Sequence, residues 1–466
     1  MFMPKNELKI NEKFDFDKNA LDEYIYPRTD YQAEIDSFNL QSPLFNTVPA
    51  PPEKTINRIL DRLETIYTPT RWTIPDDFAS REHVSRICQM LQKEFKEKSS
   101  GAIFCREKIN NVESVFKKFA LEGVVEMVIE RINQLQEQDD TRYVSDPVRI
   151  FIKKEHHKKK KIAEKRLRLI WGVSLIDQII DRVLYQNMVD TSIKNFRDVP
   201  SKPGMSFKHG GTDNMVRQYS NGSKNWESFD AHSYDFTVSG WKQQIIFDLN
   251  ARLLNTQGNL REKWLALARK RQQATVYGSF AFSNGEVFNQ TVPGRQLSGH
   301  LLTIDSNCKG TVMDRVYYDI VQGVPSSAAS IIAMGDDSVQ DNLPSAQAYC
   351  EWVKQHCGVD LTVEGVRGLF EEQNFCSATF TKYKNAWVCV PLNWKKTVAS
   401  LTQYEKKKEK VQGDALFSAC LEYVFHPRFS ELYLKLIELY PAKVRSVDYF
   451  KSKWLGYEGS SMSISA

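Results

Sequence analysis

Apolar residues recur at helical spacing through much of the chain. Ile56, Ile59, Leu60, Leu63 and Ile66 share one face and predict a helix through TINRILDRLETIY. Val112, Val115, Phe116, Phe119, Val124, Val125 and Val128 predict a long helix over 112–136, and LIDQIIDRVLYQNMVD predicts another over 175–190. The middle changes character. WESFD at 226–230 reads as a strand, and WKQQIIFDLNARLL, from Trp241, as a helix. TVYGSFAFSNGEVF at 275–288 reads as a hairpin turning at Asn284-Gly285. SIIAM at 330–334 is a short apolar strand that runs into GDDS and a second short stretch, a hairpin with acids at its tip. Residues 391–455 read as mostly helical, and the tail GSSMSISA as frayed. Residues 26–53, with YPRTDYQ and TVPAPPE, read as an extended, weakly structured arm. Mixed helices and strands, with helices gathered at the end, suggest an α+β fold.

Composition narrows the class. With 41% apolar and 26% charged residues, the chain is globular rather than disordered. Its 466 residues suffice for a large core without disulfide staples. No stretch of 18 apolar residues occurs, and the first residues lack the apolar segment of a secretory signal. None of the eight cysteines forms a CxxC pair, so a zinc ribbon is excluded and reduced thiols in a cytosol-like compartment are expected. There is no HExxH.

Net charge is only +5, but its distribution is uneven. Arg149 to Arg168 holds ten Lys or Arg and two Glu, a local +8 in a chain whose remainder sums to −3. The run lies mid-chain between apolar strand-like segments, so it reads as a patch on a folded body that meets a polyanion.

Gly335-Asp336-Asp337 follows an apolar strand. Adjacent carboxylates resist joint ionisation, and a divalent cation relieves that cost. An EF-hand is excluded, because Asp341 and Gln347 stand where Gly and Glu are required. A second acidic pair, Asp230 and Asp235, lies at the exit of the 226–230 strand. If the two strands are neighbours, Asp230 and Asp336 converge on hard oxygen ligands of the kind Mg²⁺ takes. Between them, Ser298-Gly299 allows a tight turn, and Thr303 and Asn307 fall on one face of a following helix. Taken alone, Ser298 reads better as a helix N-cap and Asn307 as a surface polar residue.

The order of these features resembles motifs F, A, B and C of the viral RNA-dependent RNA polymerases of positive-strand RNA viruses. The basic stretch ends in RLRLI, then come D-x4-D, SG-x3-T-x3-N and GDD. The segments VRIFIKKEHHKKKKIAEKRLRLIWGVSLIDQIIDRVLY, PSKPGMSF, AMGDDS and NFCSATF are similar to the sobemovirus and polerovirus group, with its barnavirus-like and invertebrate sobemo-like relatives. The likeness is dense over about 147–397.

The resemblance implies an α+β right-hand polymerase with an antiparallel palm sheet. Residues 1–55 would form an N-terminal arm, 56–225 the fingers with part of the palm, 226–254 palm, 255–290 the return of the fingers, 291–390 palm, and 391–466 the thumb. It implies that Asp230 and Asp336, with Asp337 adjacent, hold two Mg²⁺ ions, Mn²⁺ being the alternative, with no organic cofactor. Asp235, Ser298, Gly299, Thr303 and Asn307 would surround the ribose, whose 2′-hydroxyl separates RNA from DNA precursors. Lys153, Glu155, Lys158, Lys161, Arg166 and Arg168 would line the NTP path. Ser99, Ser100 and Gly101 match a loop along the template, and Phe375, Cys376 and Ser377 a grip on the product strand.

The family carries a lysine between motifs C and E that protonates pyrophosphate. Here the only lysine in that interval is Lys354, with Asp360 near the expected position and His356 and Arg367 as other donors or charge partners. Implied partners are template RNA, nascent RNA and NTPs, with other viral replicase proteins or a protein primer besides, in the host cell cytoplasm at replication complexes. A reverse transcriptase and a catalytically silent RNA-binding replicase subunit are the rival readings. Asp235 and Asn307 argue against the first, and the intact acids against the second.

Overall fold

A computed structural model describes residues 8–14, 17–44, 48–325, 327 and 330–457. The tail at 459–466, expected to fray, lies outside them. The fold is mixed helix and sheet, as its pattern predicts.

Its centre is a four-stranded antiparallel sheet. We number its strands β1 (Trp226–Ala231), β2 (Ile331–Met334), β3 (Asp337–Gln340) and β4 (Leu361–Gly368); across the sheet they run β4-β1-β3-β2. The register pairs Ser338 with Phe229 and Thr362 with Asp230. One step further along that register sets Asp337 beside Asp230. The apolar strand residues Phe229, Ile332, Ala333 and Val339 are buried, so the acids fall at the strand ends, where the sheet meets solvent.

The helix Thr303–Gln322 packs along the sheet and is buried almost throughout. Its charges are paired inside the core. Lys309 bonds Asp305 at 2.7 Å, Asp314 bonds Lys242 at 2.7 Å, and Arg315 bonds Asp319 at 2.9 Å. An unpaired charge at such depth would be strongly destabilising. The same helix grips the β2–β3 turn. Thr311 Oγ1 donates to the Gly335 carbonyl at 3.0 Å, and the Gly335 N–H donates to Cys308 Sγ at 3.1 Å. Gly335 has φ +70, a left-handed conformation that glycine adopts without strain. The segment beginning PSKPG runs beside β2, exchanging backbone bonds between Lys202 and Ala333 and between Ala333 and Pro200.

A second sheet joins Val148–Ile152, Leu169–Gly172, Ser279–Ala281 and Val287–Asn289. The last two are the expected hairpin, with Gly285 in the turn at φ +95, although its first residues, Thr275 and Val276, end the preceding helix. Most of the basic run is the excursion between the first two strands. The helices expected over 112–136 and 175–190 run Val112–Glu137, broken at Ala120, and Leu175–Lys194.

The expected extended arm needs correction. Within 26–53, Tyr31–Gln41 is a helix, started by Asp30, whose side chain accepts the Ala33 N–H at 3.0 Å. Its buried positions are Glu34, Ser37 and Gln41, so the inward face is polar and leaves no apolar periodicity to read. Phe38 on this helix packs against Trp171, Phe236, Phe280 and Phe282. Residues 48–52 form neither helix nor strand, and 45–47 lie outside the described residues.

The N-terminal residues bridge distant parts of the molecule. Leu8–Ile10 pairs with Gln403–Glu405, and Tyr24–Ile25 pairs with His157–Lys158. All eight cysteines are free, and seven are buried. Among the described residues no helix is long and apolar enough to cross a membrane.

Candidate active site

The ends of β1 and the β2–β3 turn open into a cleft of about 620 Å³. Asp230, Asp235, Asp336 and Asp337 line it. So do Ser298, Thr303 and Asn307, and from the basic run Glu155, Lys158, Lys161, Arg166 and Arg168. Residues separated by nearly 200 positions in the chain thus share one cleft, in the grouping the sequence anticipates.

The acids are held under electrostatic stress. Burial, then Asp336, Asp230 and Glu364, push Asp337 up to about 7. Burial and Asp336 push Asp235 up to about 7, with Arg168 opposing. Asp336 and Asp230 are also raised, chiefly by burial, and for Asp230 the cations Lys161 and Arg168 work against it. Crowded carboxylates of this kind gain from a cation. Among the described residues no group of three His, Cys, Asp or Glu side chains could hold a metal ion unaided.

The 298–303 loop is built by close contact. The Trp171 N–H donates to Ser298 Oγ at 3.3 Å, so Ser298 ties the loop to a neighbouring strand and does not cap the helix, whose N-cap is Leu302. A Cβ on Gly299 would sit 2.1 Å from the Trp171 carbonyl oxygen. Glycine is therefore required here for close approach. Thr303 Oγ1 donates to the carbonyls of Leu297 (2.6 Å) and His300 (2.7 Å), closing the loop onto the helix. One turn on, Asn307 is buried in the cleft wall, and its Oδ1 has no hydrogen-bond partner among the described residues. That free acceptor is available to a donor in the cleft.

The basic run is shaped by its histidines. His157 Nδ1 bonds the Glu155 carbonyl at 2.8 Å, and its Nε2 accepts the Arg168 N–H at 3.1 Å, stapling the excursion shut. Although burial opposes it, Glu155 is held below the usual carboxylate range by Lys396 and Lys153. Lys153 is spent on that contact and does not line the cleft, whereas the exposed Arg168 does.

Other expected residues lie elsewhere. Ser100 and Gly101 are buried, with Ser100 bonded to the Ile109 carbonyl and Gly101 packed on Ser174; only Ser99 of the three is partly exposed. Phe375 is buried, Cys376 and Ser377 form a left-handed turn, and Ser377 alone of the three reaches the cleft. Lys354 is exposed, bonded to Asp360 at 2.9 Å, and outside the cleft lining.

Sequence reading missed several cleft residues. His232 sits between the two acids of D-x4-D, with its Nε2 2.7 Å from Arg166 Nη1. Gln41 arrives on the unexpected N-terminal helix, and Asn393 and Lys396 come from the C-terminal third. Only the His232 position, inside a motif, carried a sequence signal.

Paired acids at strand ends thus share one cleft with cations and with the unpartnered Asn307 Oδ1. A family model for viral RNA-directed RNA polymerase matches residues 88–219. The RNA-directed RNA polymerase of mushroom bacilliform virus is 30% identical over 308 residues, covering 65% of this chain and 70% of that one. The chain belongs to the viral RNA-directed RNA polymerase family. Replicase polyprotein P2AB of southern bean mosaic virus is 26% identical over 398 residues, 81% of this chain and 39% of the polyprotein. Protein P1-P2 of pea enation mosaic virus-1 is 26% identical over 417 residues, 82% of this chain and 32% of that protein. The chain thus spans about a third of these longer relatives.

Proposed function

We propose that the chain synthesises RNA on an RNA template by nucleotidyl transfer, using NTPs and extending a nascent strand, within viral replication complexes in the host cytoplasm. In this reading 226–254 and 291–390, with the central sheet, are the palm, 56–225 and 255–290 the fingers, 391–466 the thumb, and 1–55 an N-terminal arm. One observation carries it: Asp230 and Asp336-Asp337, on adjacent antiparallel strands, face the free acceptor of Asn307 and the cations of the basic run across a single cleft.

Asp230 and Asp336, with Asp337 beside them, would hold Mg²⁺, or Mn²⁺ in its place. When bound, the ions lower the pKa of the attacking 3′-hydroxyl and neutralise charge on the leaving pyrophosphate. The remaining work falls to side chains. Arg168 and Lys161 hold the triphosphate, the guanidinium doing so through paired hydrogen bonds. Asp235 and Asn307 read the ribose: the Asn307 amide oxygen accepts from the 2′-hydroxyl, and a deoxynucleotide leaves it unpaired. The loop at 298–303 fixes where that sugar sits.

The test is incorporation of labelled NTPs on a primed homopolymer RNA with Mg²⁺. Wild type extends the primer, and Asp230→Ala and Asp336→Ala do not. Extension by either variant at the wild-type rate overturns the assignment of the acids.

A further inference from the structure

His300 lies inside the sugar-facing loop, yet its side chain points away from the cleft. Its Nε2 lies 3.0 Å from Asp181 Oδ2, and both side chains are buried, 9% and 0% exposed. Its Nδ1 accepts the Leu302 N–H at 3.3 Å, which leaves Nε2 as the donor to Asp181. Asp181 is itself immobile. It stands on the helix Leu175–Lys194 and receives Arg271 Nε at 2.7 Å and Nη2 at 3.0 Å, from the helix Gly258–Val276. Arg271 also reaches Asp177, which Arg131 contacts at 3.5 Å. The loop is thus tied through one imidazole to a buried ionic lattice carried by three helices.

The tether acts at the back of the loop and adds to the contacts that hold its front and its junction with the helix. Its front is fixed by Ser298 and Gly299 against Trp171. Behind it lies a small cavity, about 30 Å³, lined by Gln243, Gln272, Gln296, His300 and Ser306. The His300 carbonyl also accepts the Thr303 hydroxyl, so rotation of this residue moves Thr303 and, one helical turn on, Asn307.

We propose that His300 is a positioning residue for ribose selection: its bond to Asp181 holds the 298–303 loop where Ser298, Thr303 and Asn307 meet the sugar. This rests on the RNA-synthesis reading above. A hydrogen bond to a buried charge, once lost, lets the loop drift, and displacement of a positioning group costs rate steeply.

The experiment compares wild type with His300→Ala, His300→Phe and His300→Gln. The readouts are kcat and KM for ATP and dATP on one primed RNA template, the melting temperature, and affinity for the primed RNA. Phenylalanine keeps the ring's volume without a donor, and glutamine can place an amide N–H near Asp181. The expected result is a roughly tenfold fall in the ATP-to-dATP ratio of kcat/KM for alanine and phenylalanine, carried mainly by KM for ATP. Glutamine restores most of the ratio, and RNA affinity stays at the wild-type value throughout. If the alanine variant does not fold, phenylalanine and glutamine carry the comparison. An unchanged ratio in the phenylalanine variant, or a glutamine variant as impaired as phenylalanine, overturns the proposal. Wild type that fails to extend the primer with ATP would instead overturn the RNA-synthesis reading itself.

Discussion

Replacing Gly299 by alanine adds one methyl group at a place with no room for it. The new Cβ would lie 2.1 Å from the Trp171 carbonyl oxygen and 3.2 Å from its carbon, both backbone atoms of a strand in the second sheet. Ordinary contact begins near 3.4 Å, so the loop must retreat by about 1.3 Å. The strand cannot yield instead, because Trp171 is fully buried among Phe38, Phe236 and Phe280. That retreat breaks the 3.3 Å bond from the Trp171 N–H to Ser298 and carries Thr303 with it. A misplacement of about 1 Å at a catalytic constellation costs on the order of a hundredfold in rate. The atoms met are backbone rather than a flexible side chain, so the retreat also costs some folding stability. The expected outcome is a Gly299→Ala variant that folds with a lowered melting temperature and has roughly a hundredth of the wild-type kcat/KM for ATP on a primed template. Gly278→Ala is the control, since its Cβ meets nothing nearer than the Thr275 carbonyl at 3.5 Å. A Gly299→Ala enzyme as active as Gly278→Ala would refute the close-packing account of the loop.

Asp230→Ala and Asp336→Ala should each lower extension by more than about a hundredfold, as expected when transition-state charge stabilisation is lost, with RNA affinity unaltered in a binding titration. Substituting Lys158, Lys161 and Arg168 together should flatten the dependence of log affinity on log salt by roughly 0.7 per RNA contact removed; an unchanged slope would make the run a solvated face. His156 supplies a pH signature. Burial, then Lys396 and His157, push it down to about 4, although its bond with Gln403 opposes this. Between that value and the ordinary value of 6.5 the unfolded chain binds the extra proton. Stability therefore rises with pH across this window and is lost as pH falls through it, by at most about 3 kcal/mol. Denaturant melts of His156→Gln should lose part of that slope relative to wild type; identical slopes would remove His156 as its source.

The sequence was most legible where chemistry and burial pull in the same direction. Apolar runs ending in acids read as strands that bring Asp230 and Asp336 together if they are neighbours, and the +8 run as a patch on a folded body; the register makes the strands neighbours, and part of the run lines the same cleft. Reading failed where a buried face is polar. The helix Tyr31–Gln41 hides Glu34, Ser37 and Gln41, which hydrogen-bond to backbone and so replace the apolar stripe that periodicity detects. It failed again where partners lie far apart in sequence, as with His300 and Asp181, or Lys396 and Glu155. Ser100 and Gly101 look suited to a ligand by residue type, but small residues serve equally well for packing, here against Ser174.

The pairing of Leu8–Ile10 with Gln403–Glu405 sets an order of assembly. On a ribosome adding about 5–20 residues per second, the first strand waits roughly 20–80 s for its partner. Lys9 and Glu409, which meet at 2.7 Å, are 400 residues apart. Through that interval the segment lacks its partner strand, while the sheet that carries the acids is already complete. Closing so long a loop costs only about 2 kcal/mol more than closing one a tenth its length, because the penalty grows with the logarithm of length. Three residues, the outer two exposed, make a light clasp, fastened last and first to open on unfolding. Hydrogen exchange should find its amides released well before those of the central sheet.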